Sequence, residues 1–196
     1  MIHDAVQHIT KYLNLYLKSL FDLPEDVAVV AGLVEQDGSV EAQVFNKLVV
    51  SVVNIQKEAA SSTFSHAHTT SPANTVVTVG FPPVHLNIHL LISANYPGKN
   101  YAEALKFISY AALFFQGNPV FTHENTPDMA PSLSKLTMEI ENLNMRDLSS
   151  LWSITSGKYL PSILYKLRMV TLDSRVIKGQ VPAMTQADPQ SGFLGR

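Results

Sequence analysis

The chain has 196 residues, a formal net charge of −2 and no cysteine. The length suits one domain, or one domain with a tail, around a substantial core. The near-neutral balance gives no electrostatic case for a nucleic-acid partner, and the missing cysteines remove disulfides, thiolate catalysis and cysteine-based metal sites together.

Residues 2–21 read as an amphipathic helix, with Ile2, Val6, Ile9, Leu13, Leu17 and Leu20 recurring at three- and four-residue spacing. Pro24 ends it. This opening has no basic region followed by an unbroken apolar run, so it does not read as a secretory signal, and no stretch of the chain reaches membrane-span length. Val27–Val34 is a short strand, and Gln36-Asp37-Gly38-Ser39 is a turn. Lys47–Ile55 is apolar on both alternating sets and reads as a central strand covered on both faces. Residues 58–75 are small, polar and without period, which makes them a long loop or an extended hairpin arm.

Val84–Ser93 alternates, with Val84, Leu86, Ile88, Leu90 and Ile92 on one face. A helix follows, with Asn100 and Glu103 spaced as a capping box, Gly117 at its end and Pro119 beyond. Its buried face is expected to hold Leu105, Ile108, Ala112 and Phe115. Phe107, Tyr110, Phe114 and Phe115 are more aromatic surface than one helix side hides, so the helix is expected to meet two surfaces. Ser134–Glu141 is a strand with one wet or partner-facing side. Asn144 and Asp147 cap a short helix that buries Leu148, Leu151 and Trp152 and ends at Gly157. Ile163–Leu172 is the last strand. Residues 176–196 are polar and bear Gly and Pro, as a mobile tail does. The order predicts a single α+β domain over 1–175, a mixed, mostly antiparallel sheet with helices packed on it, and a flexible tail over 176–196.

Catalytic patterns are few. His66 and His68 form an H-x-H pair without a third ligand at a supporting spacing. His85 and His89 share a strand face, where packing is the simpler reading. His123-Glu124 has no nucleophile motif beside it. Glu139 and Glu141 point the same way from one strand and read as a solvated or ion-paired sheet face. Lys166 and Arg168 are placed to pair with them across strands, within one subunit or between two. No catalytic, metal or cofactor site is assigned.

Four stretches carry a family likeness: MIHDAVQHITKYLN at the start, PPVHLNIHLLISANY at Pro82–Tyr96, YAEALKFISYAALFFQGNPVFTHENTP at Tyr101–Pro127, and SKLTMEIENLNMRDLSSLWSITSGKYLPSILYKLRMVTLD at Ser134–Asp173. Together they resemble the cap, or tail-terminator, proteins of extracellular contractile injection systems of the antifeeding-prophage and virulence-cassette type. The resemblance implies a non-enzymatic subunit with a phage tail-terminator-like fold. It implies a ring, usually of six copies, that ends tube and sheath polymerisation and joins sheath to tube. The implied partners are copies of the chain, the inner tube protein and the sheath protein, with no nucleic acid and no membrane. The implied location is cytoplasmic during assembly and then within the released particle. Family members often carry a further C-terminal region, whereas this sequence stops soon after its last strand. Phe107, Tyr110, Phe114, Glu139, Glu141 and Arg168 are the candidate assembly residues. Two other readings are a small metal-dependent enzyme using His66, His68, His85 or His123, and an adaptor that binds a peptide along a sheet edge.

Overall fold

A computed structural model describes residues 1–33, 42–58, 67–68, 76–80, 83–154, 158–172 and 177–182. The turn at 36–39, His66, Gly157 and residues 183–196 lie outside these. The chain divides into two compact units, Met1–Ala59 with His85–Thr171, and Ala60–Val84 with Leu172–Arg196.

In the first unit, α1 (Ile2–Phe21) follows the predicted stripe as far as Leu17: Val6, Ile9, Leu13 and Leu17 are buried, while Leu20 at the helix end is exposed. Its stop is made by Asp22, which adopts the left-handed conformation (φ 52°, ψ 46°) and donates its backbone N–H to the Lys18 carbonyl. Asp is among the few non-glycine residues that tolerate this region. Strand β1 (Ala28–Val30) runs parallel to β2 (Lys47–Lys57), pairing only with Leu48–Val50. β2 runs antiparallel to β5 (Val84–Asn95) along its whole length, with a bulge between Val52 and Asn54. Then come α2 (Tyr101–Gly117), β6 (Val120–Thr122), β7 (Lys135–Ile140), α3 (Met145–Ile154) and β8 (Ser162–Leu172). The strands form one six-stranded sheet in the order β1-β2-β5-β8-β7-β6, so the fold is α+β with a mixed, mostly antiparallel sheet.

The sheet has two differently covered faces, because alternate side chains of each strand go to opposite sides. Ile88, Leu90, Ile92, Tyr165, Leu167, Leu136 and Met138 are buried on the side of α1 and α2. Aromatic contacts join that layer: Phe115 to Tyr165 (5.0 Å between ring centres), Phe107 stacked on Tyr96 (5.5 Å), and Phe114 beside Tyr16 (5.2 Å). On the other side Leu33, Val44, Val49, Leu91, Trp152 and Leu164 form a second cluster roofed by α3. Asn144 caps α3 reciprocally: its Oδ1 accepts from the Asp147 backbone N–H at 3.0 Å, while its Nδ2 donates to Asp147 Oδ2 at 2.7 Å.

Several expectations change. β2 is not covered along its length. Leu48, Val49 and Val50 are buried, but most residues from Val52 to Lys57 are exposed, because β1 is too short to reach them. The capping box expected at α2 is not formed either. Asn100 ends a 3-10 turn (Gly98–Asn100) with φ −90° and ψ 15°, outside the extended region from which an N-cap side chain folds back. At the other end Asn118, not Gly117, makes the stop: both its backbone N–H (2.9 Å) and its Nδ2 (3.1 Å) donate to the Phe114 carbonyl.

In the second unit β3 (Ala67–His68), β4 (Val76–Gly80) and β9 (Ile177–Pro182) form a three-stranded antiparallel sheet in that order. Residues 177–182, expected at the start of the tail, are therefore strand.

Candidate assembly surfaces

The aromatic residues expected at an interface have different fates. Phe107 and Phe114 are buried in the core of their own subunit, where Phe114 also meets Phe115 (5.0 Å) and Phe121 (6.3 Å). Burial leaves neither ring available to a neighbour. Tyr110 is half-buried with its ring edge-on to Phe21 at 4.9 Å. The helix does carry apolar residues on two sides, as expected, but the sides differ from the reading. The inward face is Ala104, Phe107, Ile108, Ala111, Phe114 and Phe115. Leu105 is exposed, and with Tyr101 and Leu113 it forms an outward stripe at four- and eight-residue spacing. That spacing was visible in the sequence. The heavier aromatic signal masked it.

A second exposed apolar area surrounds α3. Met145, Ile154 and Tyr159 are exposed, and a shallow groove between Met145, Leu148, Trp152 and Tyr159 is floored by the buried indole, whose ring centre lies 5.6 Å from that of Tyr159.

The polar candidates gather where β2, β5 and β8 end together. Glu58, just past β2, has a nearly buried side chain that accepts from Asn87 Nδ2 at 2.8 Å and from Arg168 Nη2 at 3.1 Å. Arg168 Nη1 also donates to Glu139 Oε1 at 3.4 Å, so the predicted cross-strand pairing forms within one subunit. The register opposes Glu139 to Lys166 and Thr137 to Arg168, so this pair is diagonal. The hydrogen bond to Glu58, then the charge of Glu139, hold the guanidinium further above its usual range. The Glu58 backbone N–H donates to the His85 carbonyl, and His85 Nδ1 lies 2.9 Å from Thr171 Oγ1. These bonds staple three strand ends. Glu141 is half-buried; its backbone N–H donates to Leu164.

The histidines are dispersed. His89 is buried beside Asn87 on the β5 face, and His123 Nε2 donates to the Leu133 carbonyl at 2.7 Å. Among the described residues no group of three His, Cys, Asp or Glu could hold a metal ion, and no helix is long and apolar enough to cross a membrane. His8, unremarked in the sequence, is buried against Tyr12 and Phe121, and burial pushes its imidazole below the ordinary value, partly opposed by Asp128. Asp128 accepts from Lys11 and Tyr12 and is held down at about 2 by those two bonds.

Two further polar side chains close the ends of the six-stranded sheet. Asn14, buried on α1, accepts from the N–H of Val27 (3.0 Å) and Ala28 (2.8 Å) and donates to the Ala28 carbonyl (2.8 Å). At the opposite edge Asn125 accepts from the Thr122 N–H at 2.7 Å and donates to the Val120 carbonyl at 2.7 Å. Thr126 donates its N–H and its hydroxyl to the Thr122 carbonyl. Both asparagines thus stand where a further strand would bond.

Residues 4–186 match the model of the family described as the Pvc16 N-terminal domain. Two solved structures are similar over the chain. One is the sheath/tube terminator of an extracellular contractile injection system (PVC) in the extended state, at 16% identity and a TM-score of 0.58, covering 100% of this chain and 65% of that one. The other is the tube-terminating cap of the anti-feeding prophage, at 12% identity and a TM-score of 0.59, covering 95% of this chain and 59% of that one. The chain thus spans less than two thirds of each. No curated protein matches the sequence.

Proposed function

The chain belongs to the Pvc16 N-terminal domain family, and from that premise we infer that it is a structural terminator of a contractile injection particle. It ends the tube and sheath and holds one to the other. Copies of the chain close into a ring, six in number, and the protein performs no catalysis. It assembles in the cytoplasm and leaves with the particle. The observation that carries this reading is the fold likeness to a sheath/tube terminator over the full length of the chain.

The surface is compatible with such a role. A ring subunit needs unlike surfaces that meet by rotation. The α2 stripe and the α3 groove are two separate exposed apolar areas on one unit, suited to different neighbours. Glu58 and Glu139 share the Arg168 guanidinium at the strand ends, an arrangement that fixes structure.

The test is assembly of tube and sheath subunits with and without the purified chain, followed by electron microscopy. With the chain, tubes of limited length end in a ring. Tubes that grow without limit in its presence, with bare ends and a monomeric chain in solution, would sink the reading.

A further inference from the structure

His8 sits on the seam where α1 meets β6 and the segment that follows it. It is 6% exposed, and its Nε2 is buried without a hydrogen-bond partner. Its ring lies against Tyr12 on α1 (4.9 Å between centres) and edge-on to Phe121 on β6 (6.1 Å), and those two rings meet each other at 6.2 Å. A neutral imidazole fits this aromatic setting with one bond unmade. An imidazolium adds a charge and a second N–H, and the site offers Nε2–H neither an acceptor nor access to solvent. The charged and titratable groups around it are Lys11, Tyr12 and, one turn back, Asp4 on α1, with His123 and Asp128 on the following segment; β6 brings none. Asp4 is paired with the Met1 amino group, and Asp128 is taken up by Lys11 and Tyr12.

The two sides of the seam are unequally held. α1 buries Val6, Ile9, Leu13 and Leu17, and Asn14 bonds it to β1. The segment His123–Leu133 is bonded mainly to itself and to β6. Thr126 N–H donates to the Thr122 carbonyl (2.8 Å), Met129 N–H to Thr126 (3.0 Å), Leu133 N–H to Ala130 (2.9 Å), and His123 Nε2 to the Leu133 carbonyl (2.7 Å). Among the described residues its hydrogen bonds to α1 all end on Asp128, from Lys11 and Tyr12. Lys11 and Asp128 are exposed, where such a pair contributes little. Met129 and Leu133 are its buried apolar anchors. A strap with two apolar anchors and one exposed ion pair gives way before a helix with a full buried stripe.

We propose that His123–Leu133 is an acid-opened strap, closed over the α1–β6 seam while His8 is neutral and lifted when His8 takes up a proton, so that solvent reaches the imidazolium. Lifting bares Met129 and Leu133 and releases the bonds by which Asn125 and Thr126 occupy the Val120 carbonyl and the outward groups of Thr122. The β6 edge, closed in neutral solution, is then open to pairing. The sign follows from burial. In the closed form burial holds the ring below its ordinary 6.5, and opening returns it towards that value, so the open fraction grows as the pH falls through 6.5. Lys11 and His123 add to this and Asp128 opposes it. Uptake of a single proton sets a ceiling: between pH 7.5 and 5.5 the open fraction rises at most about tenfold. The device needs neither a ring nor a tube, so it does not rest on the terminator reading.

The experiment is native-state hydrogen exchange by NMR on the full chain at pH 7.5 and 5.5, in low denaturant, with rates converted to protection factors, and with the His8 ring titrated in the same samples. The amides of Thr122, Thr126, Met129 and Leu133 carry protection at least about tenfold below that of Ile9 and Leu13 in α1, and a smaller denaturant slope, because the strap opens on its own. Between pH 7.5 and 5.5 their protection falls about three- to tenfold. In His8→Phe the low slope remains and the fall with pH disappears. Strap amides that share the protection and slope of α1 overturn the proposal, since the strap then opens only with the whole fold. Strap protection that does not change with pH overturns it, and so does an equal fall in His8→Phe, which would place the sensor elsewhere. Should His8→Phe fail to fold, the parent decides: a ring that titrates below 6.5 together with the strap's loss of protection supports the proposal, and one that titrates at 6.5 or above overturns it.

Discussion

Single side chains carry much of the local order, and Asn14 is the clearest case. It is buried on α1, and its amide satisfies three backbone groups at the start of β1. Asn14→Ala leaves those groups without partners in a site closed to water. The expected loss is about 2–3 kcal/mol, read as a lower denaturant midpoint at unchanged slope. His8 gives a pH dependence of definite sign. Burial depresses its folded-state value below the ordinary 6.5, so the unfolded chain binds the proton more readily. Stability is full above that value and falls as the pH drops through it towards the folded value. The pull of Asp128 opposes this effect without reversing it, while the nearby Lys11 and His123 add to it. The melting temperature should therefore fall between pH 7.5 and 5.5, and His8→Phe should flatten that slope. A separate loss begins only below about pH 4, where Asp128, held near 2 by Lys11 and Tyr12, starts to bind protons in the unfolded chain.

At the scale of elements, what was legible followed the strength of the periodic signal. α1, β5, β7 and α3 lie where their spacing places them, and the Asn144–Asp147 cap of α3 forms as read. The phase of α2 was misread, because apolar residues surround that helix and period alone does not choose a side. Contacts made far along the chain decide it: Phe107 stacks on Tyr96 and Phe115 reaches Tyr165. β6 was hidden in a turn-rich segment, since Val120 and Thr122 bond outward to Asn125 and Thr126, a pattern with no periodicity. The exposed half of β2 was illegible for a related reason. A run apolar on both sides describes a central strand only if its neighbours are as long as it is, and β1 is not. α3 provides the prediction at this scale. It has ten residues, and Trp152 is its buried side chain, seated on Leu91, Val49 and Leu164. Trp152→Ala should cost about 3–5 kcal/mol, and native-state hydrogen exchange should find α3 opening first.

For the whole molecule, the apolar side chains divide between a large core and exposed surface. The aromatic residues suspected of facing neighbours are mostly core, while smaller aliphatics face out. The candidate ring contact accordingly moves from Phe107 and Phe114 to Tyr101, Leu105 and Leu113 on the outer side of α2. Leu105 and Leu113 are exposed, so replacing both with glutamate removes no buried contact. Each change should alter folding stability by less than about 0.5 kcal/mol. If copies meet along this helix, two carboxylates are then placed in an apolar interface where no described cation pairs with them, and desolvating them opposes closure. The expected outcome for L105E/L113E is a parental melting temperature with loss of ring particles in negative-stain images and a monomeric mass in solution. Rings that form normally from the doubly charged chain would move the contact away from α2. The α3 groove at Met145, Trp152 and Tyr159 would then be the next surface to charge in the same way.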